Sequence, residues 1–108
     1  MQSVQITIQH FDGCPHWRIG AERLEEALRI AGAQAEVTYH VIDNYEEAER
    51  HRFRGSPTFL IDGKDPFLDE ETPVGLSCRV YRTDDGFEGA PSVEQLVDAL
   101  ASSGARAA

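Results

Sequence analysis

The chain of 108 residues (12.0 kDa) is 41% hydrophobic and 27% charged, a soluble composition with room for one hydrophobic core and not for two independent ones. Its 10 Lys and Arg stand against 19 Asp and Glu, for a formal charge of -9, which argues against the clustered basic footprint that nucleic acid requires. No apolar run approaches the roughly 20 residues of a membrane span, and Met1 to Ile8 alternates polar and apolar where a signal peptide would be basic and then continuously apolar. A single domain over residues 1–108 is therefore expected, cytoplasmic, with no nucleic-acid or membrane partner and no bound cofactor. Oligomeric state is not legible.

Val4, Ile6 and Ile8 share one face at period two, so residues Val4 to Phe11 read as a strand that stops at Asp12-Gly13. From Pro15 to about Ala31 the apolar residues Trp17, Ala21, Leu24, Leu28 and Ala31 recur at steps of four and three, the pattern of an amphipathic helix that Gly32 closes. Glu36 to Asp43 is β-rich, so strand, helix and strand follow as in a parallel crossover unit. Asn44 caps a short polar helix running to about Arg54, ended by Gly55, and Thr58 to Ile61 is a compact apolar strand leading to the turn Asp62-Gly63. Residues 64–76 read as a loop, Cys78 to Arg82 as a further strand, and Asp84-Asp85-Gly86 as a turn. Ser92 caps a last helix carrying Val93, Leu96, Val97 and Leu100, and a frayed tail begins at Ser102. The order is β-α-β-α-β-β-α.

Two local signals stand out against this order. Phe11-Asp12-Gly13-Cys14-Pro15-His16-Trp17 runs a strand end into a cysteine and a proline that open a helix, and Gly55-Ser56-Pro57-Thr58 puts a proline immediately before a strand. Together they resemble the thioredoxin and glutaredoxin superfamily, in which the reactive cysteine lies at the N-terminus of the first helix and a cis-proline precedes the third core strand. The resemblance covers nearly the whole chain. It implies a thioredoxin-like α/β three-layer sandwich, with a central mixed four-stranded sheet and helices on both faces. Cys14-Pro15-His16 is similar to the first three positions of Cys-Pro-His-Cys in the bacterial disulfide-donating oxidoreductases, but Trp17 stands where the resolving cysteine would be. The segment from Gly75 to Tyr81 matches nothing in the common thioredoxin pattern.

A cysteine capping a helix has its sulfur beside unpaired N–H groups and the positive end of the dipole, which favours thiolate over thiol, and a protonated His16 would add to that. Cys14 and His16 are accordingly the expected catalytic pair, an inert core thiol being the alternative. Pro57, if cis, would turn the backbone of Ser56 toward the thiol. An extended peptide or a glutathione-like backbone could then pair with Ser56, Pro57 and Thr58 by strand addition. Trp17 suits either stacking on a substrate or packing against the sheet.

Cys78 is a candidate resolving thiol. A strand antiparallel to its predecessor would begin at the sheet end away from Cys14, whereas the loop 64–76 could carry it back; both arrangements are compatible with the sequence. His10, Cys14 and His16, with Cys78 as a fourth donor, could hold a soft metal, although His-x3-Cys-x-His is no recognised zinc spacing, and no metal is expected. The acidic run Asp65, Asp69, Glu70, Glu71 reads as a solvated loop, with calcium the alternative. The expected function is thiol–disulfide exchange through a single thiolate. Cys14 attacks a protein or low-molecular-weight disulfide to give a mixed disulfide, which an external thiol or Cys78 resolves. The alternatives are a redox-inactive binding module of the same fold and a soft-metal or organomercurial thiol-binding protein.

Overall fold

The structure is a computed structural model and describes residues 4–103. In chain order its elements are β1 (Val4–His10), α1 (Trp17–Ala31), β2 (Ala35–Val41), α2 (Tyr45–His51), β3 (Thr58–Ile61), β4 (Tyr81–Thr83), β5 (Gly86–Glu88) and α3 (Val93–Ser102). The frayed tail expected from residue 102 falls, from 104 onward, outside the described residues.

β1 lies at the centre of a three-stranded sheet in the order β2-β1-β3. It pairs in parallel with β2 from Val4↔Ala35 to His10↔Val41, and antiparallel with β3 from Ile6↔Ile61 to Gln9↔Thr58. The alternation in β1 puts Val4, Ile6 and Ile8 into one core with Phe59 and Ile61 of β3, Leu24 and Ala27 of α1, and Leu96 and Leu100 of α3. On the other face Gln5 is exposed and Thr7 and Leu60 are half-buried, so that face is only partly covered. A second, smaller core gathers Ile42, Ala48 of α2 and Phe53, with Phe11, Val74 and Leu76 against it.

The mixed α/β class and the first three strands stand where the residue pattern puts them, but a four-stranded central sheet does not form among the described residues. β4 and β5 make a separate antiparallel hairpin, Tyr81↔Glu88 to Thr83↔Gly86, across the turn at Asp84-Asp85. What would have been the start of the fourth strand meets the sheet at one point, a parallel bridge between Ser56 and Cys78. Beyond it, contact with β3 passes through side chains: Tyr81 donates to the Pro57 carbonyl and Arg79 to the Thr58 hydroxyl.

The helices also differ at their ends. α1 starts at Trp17 with His16 as N-cap and makes no side-chain cap, so Pro15 is not its first residue. It closes on Gly32 at φ 66°, in the left-handed region that glycine enters without strain. α2 is capped by Asn44, whose Oδ1 accepts from Glu47 N at 2.9 Å, and it ends at His51 instead of Arg54. Arg52 turns left-handed at φ 53°, and this delivers Phe53 into the second core. α3 carries a full capping box, Ser92 with Gln95. Among the described residues no helix is long and apolar enough to cross a membrane.

Candidate functional site

The site lies where the C-terminal end of β1 meets the N-terminal end of β3, ends that the antiparallel pairing places side by side. After β1 the chain turns at Asp12-Gly13, Cys14 N donating to Phe11 O at 3.1 Å, and Cys14 follows ahead of α1. The Ser56–Pro57 peptide bond is cis. Ser56 is fully buried, its Oγ accepts from Phe11 N at 3.4 Å, and its carbonyl accepts from Cys14 Sγ at 3.4 Å. The cysteine sulfur therefore engages the residue before the proline, and the N-cap of α1 is His16 instead of Cys14.

A short extended strap, Ser77 to Arg79, completes the site. Ser56 N donates to Ser77 O at 2.8 Å, and Arg79 N donates to Ser56 O at 2.9 Å. Both backbone groups of Ser56 are thus taken by the protein's own chain, and strand addition of a substrate at Ser56 would require the strap to leave. The bridge puts Cys78 directly opposite Ser56, whose carbonyl accepts from Cys14, so the two cysteines flank the same residue. The topological expectation that the cysteines lie at opposite ends of the sheet is overturned. The segment 64–76 returns across the molecule, anchored on the way by Val74 and Leu76 in the second core.

The strap is held by a buried arginine. Arg79 pairs with Asp65 Oδ2 at 2.7 Å, donates to Thr58 Oγ1 at 3.3 Å and to the Phe67 carbonyl, and lies over the Tyr81 ring at 4.8 Å. Asp65 is therefore half-buried and paired, not part of a solvated acidic loop. Thr58 is buried, its hydroxyl donating to Gly55 O at 2.6 Å and accepting from Arg79, so its side chain braces the strap. Tyr81 is held protonated, its ionisation pushed well above the ordinary phenol range by burial, and so remains a donor to Pro57 O. Arg79, Asp65 and Tyr81 were not anticipated as site residues. The signal in the sequence was period two, which puts Arg79 on the same side as the core residue Tyr81.

The thiols differ in access. Cys14 is 1% exposed, while Cys78 is exposed. Even so, partial burial pushes the Cys78 thiol up, and the neighbouring Cys14 adds to this, so Cys78 keeps its proton beyond the usual thiol range. Beside Cys78 opens a groove of about 470 Å3, lined among others by His16, Ile19, Arg23, Phe87 and Gly89. Arg23 pairs with Glu88 at 2.8 Å and donates to the carbonyls of Ala90 and Pro91, fixing α1 to the groove's far wall. Thr83 and then Arg23 hold the Glu88 carboxyl below the ordinary range by donating to it. His16 packs so tightly on Gly89 that a Cβ there would fall 2.3 Å from its ring.

Trp17 does not line the groove. It stacks on His10 with centroids 4.1 Å apart and meets Tyr39 edge-on at 5.8 Å. His10, Cys14 and His16, with Cys78, do not come within common ligating reach. Cys14, His16, Ser56, Pro57 and Cys78 do converge on one end of the sheet. No protein-family model matches the chain, and no curated protein matches it in sequence.

Proposed function

We propose that the chain is a thiol–disulfide oxidoreductase of thioredoxin-like fold whose working unit is the Cys14–Cys78 pair. The observation that carries this reading is the strap, which sets Cys78 opposite Ser56, the residue whose carbonyl accepts from Cys14 Sγ at 3.4 Å. The parallel β1-α1-β2 unit, the cysteine between β1 and α1, and the cis-proline before antiparallel β3 support the fold assignment. The strap stands in place of the fourth strand.

Access decides which sulfur meets the substrate, because exchange requires in-line approach to it. Cys78 borders the groove and Cys14 is covered, so the roles expected from the motif alone are exchanged. The Cys78 thiolate attacks one sulfur of a substrate disulfide, forming a mixed disulfide and expelling the other sulfur as a thiolate that takes up a proton. Cys14 then attacks the Cys78 sulfur, closing the Cys14–Cys78 disulfide and releasing the second substrate thiol. Two electrons and two protons pass to the substrate, and two equivalents of a low-molecular-weight thiol reset the pair. The need for Cys78 to lose its proton predicts that the first step accelerates with pH above the ordinary thiol range.

The test uses glutathione disulfide and intact-protein mass. The wild-type chain should lose two protons as the internal disulfide closes, with little lasting adduct. Cys14→Ser should accumulate a glutathione adduct on Cys78, and Cys78→Ser should react slowly while folded and freely when unfolded. Equal rates for the two folded variants would overturn the assignment of roles. If neither the disulfide nor an adduct forms, the chain is a binding module without redox turnover, a reading favoured by the burial of Cys14 and the occupied backbone of Ser56.

A further inference from the structure

The end of β2 and the outer face of α2 bring together three donors that the thiol site does not use. Glu47 and His51 are one helical turn apart on α2, with His51 Nε2 3.3 Å from Glu47 Oε2. His40, near the end of β2, presents its ring edge-on to His51 with centroids 4.6 Å apart. One ring nitrogen from each histidine and one Glu47 oxygen all lie within 4.8 Å of one another. We propose that His40, Glu47 and His51 form a binding site for a divalent transition ion of the zinc class, which clips α2 to the edge strand β2.

Two imidazoles and a carboxylate are the donor types that zinc takes, and three protein ligands leave a fourth position for water. Zinc–nitrogen bonds of about 2.0–2.1 Å set neighbouring donors about 3.3 Å apart, so the site must contract by about 1.5 Å at its widest. His51 is exposed and its side chain can make that adjustment, as can Glu47, whose other oxygen, Oε1, is paired with Arg50 at 2.9 Å. His40 has the outer contact that fixes a ligating imidazole: the Gln9 side-chain amide lies 3.4 Å from its Nδ1. With the amide turned so that its oxygen accepts the Nδ1 proton, Nε2 is left for the ion.

The test must exclude the thiols, since both would bind the same ion. The full chain carrying Cys14→Ser and Cys78→Ser should bind one equivalent of Zn2+, and Co2+ in its place should give a spectrum without thiolate charge transfer. Zn2+ should raise the thermal midpoint of that chain. Adding His51→Gln or Glu47→Gln, both at the surface, should weaken binding at least about 10-fold and remove the midpoint shift while leaving the metal-free midpoint close to that of the parent. Absence of Zn2+ binding in the thiol-free chain would overturn the proposal, and so would binding unaffected by both substitutions. Because the thiols are absent, neither result depends on whether Cys14 and Cys78 exchange disulfides.

Discussion

At the scale of single residues, Arg79 has the largest consequences. Its guanidinium is buried, its charge is compensated by Asp65, and its remaining donors reach Thr58 and Phe67. Arg79→Met would leave the Asp65 carboxylate half-buried without its partner, a change that typically costs about 3–5 kcal/mol. Urea unfolding should register that loss. Alkylation of Cys14 in the folded state should also quicken, since the strap that covers Ser56 loses its anchor; an unchanged rate would mean that the backbone bridge alone holds it. His10 gives a second residue-scale prediction. Burial lowers its pKa against the raising influence of Asp12, and His40 lowers it further. The folded state therefore binds fewer protons at His10 than the unfolded chain does, so this contribution is fully present above about pH 6.5 and is lost as pH falls below it. His10→Phe keeps a ring to stack on Trp17 and should lose less stability than wild type between pH 7.5 and 5.5, measured by denaturant midpoint.

At the scale of elements, two glycines separate backbone strain from crowding at the strap. Gly55 has φ 129°, and a Cβ there would stand 2.9 Å from Arg79 Cβ and 3.1 Å from its backbone nitrogen. Gly86, the first residue of β5, has φ 109° with nothing within 4 Å of an added Cβ. Gly86→Ala should cost the strain alone, on the order of 1–3 kcal/mol, and Gly55→Ala should cost more because the strap must also move. Equal costs in thermal or denaturant unfolding would show that the close approach carries no energy. The same elements explain what was legible. β1, β3, the body of α1 and the cap of α3 rest on local periodicity and capping chemistry, which a sequence displays directly. The strap does not, because its ladder is one bridge long and its anchoring is between residues far apart, Arg79 with Asp65 and Val74 with Phe53. Cys14, Ser56 and Pro57 are singled out in the sequence through the resemblance, and they meet because the ends of β1 and β3 lie side by side. The approach of Cys78 depended on where the segment 64–76 leads, and no local pattern specifies that.

At the scale of the whole molecule, the Cys14–Cys78 pair joins the β1–α1 junction to a strap that follows directly on Val74 and Leu76 of the second core. Oxidation would close a loop from residue 14 to residue 78, enclosing α1, β2, α2 and β3. Chain-entropy arguments place the stabilisation from such a loop between about 3 kcal/mol, for one of 15 residues, and about 4.7 kcal/mol, for one of 100. For a domain of this size each kcal/mol moves Tm by about 4–8 °C, so an unstrained bridge should raise Tm by roughly 10 °C or more. Strain at the sulfurs would subtract from this, and it has little slack to spread into, since Ser56, Arg79 and Thr58 are all buried around the pair. Comparing Tm for the chain oxidised by diamide and for the same chain reduced measures the balance directly. Cys78→Ser, treated identically, should show no difference. A bridge that forms in full but leaves Tm unchanged or lower would mean that the strap holds the sulfurs poorly placed for a resting disulfide, and the oxidised form would then be the short-lived state of the proposed exchange.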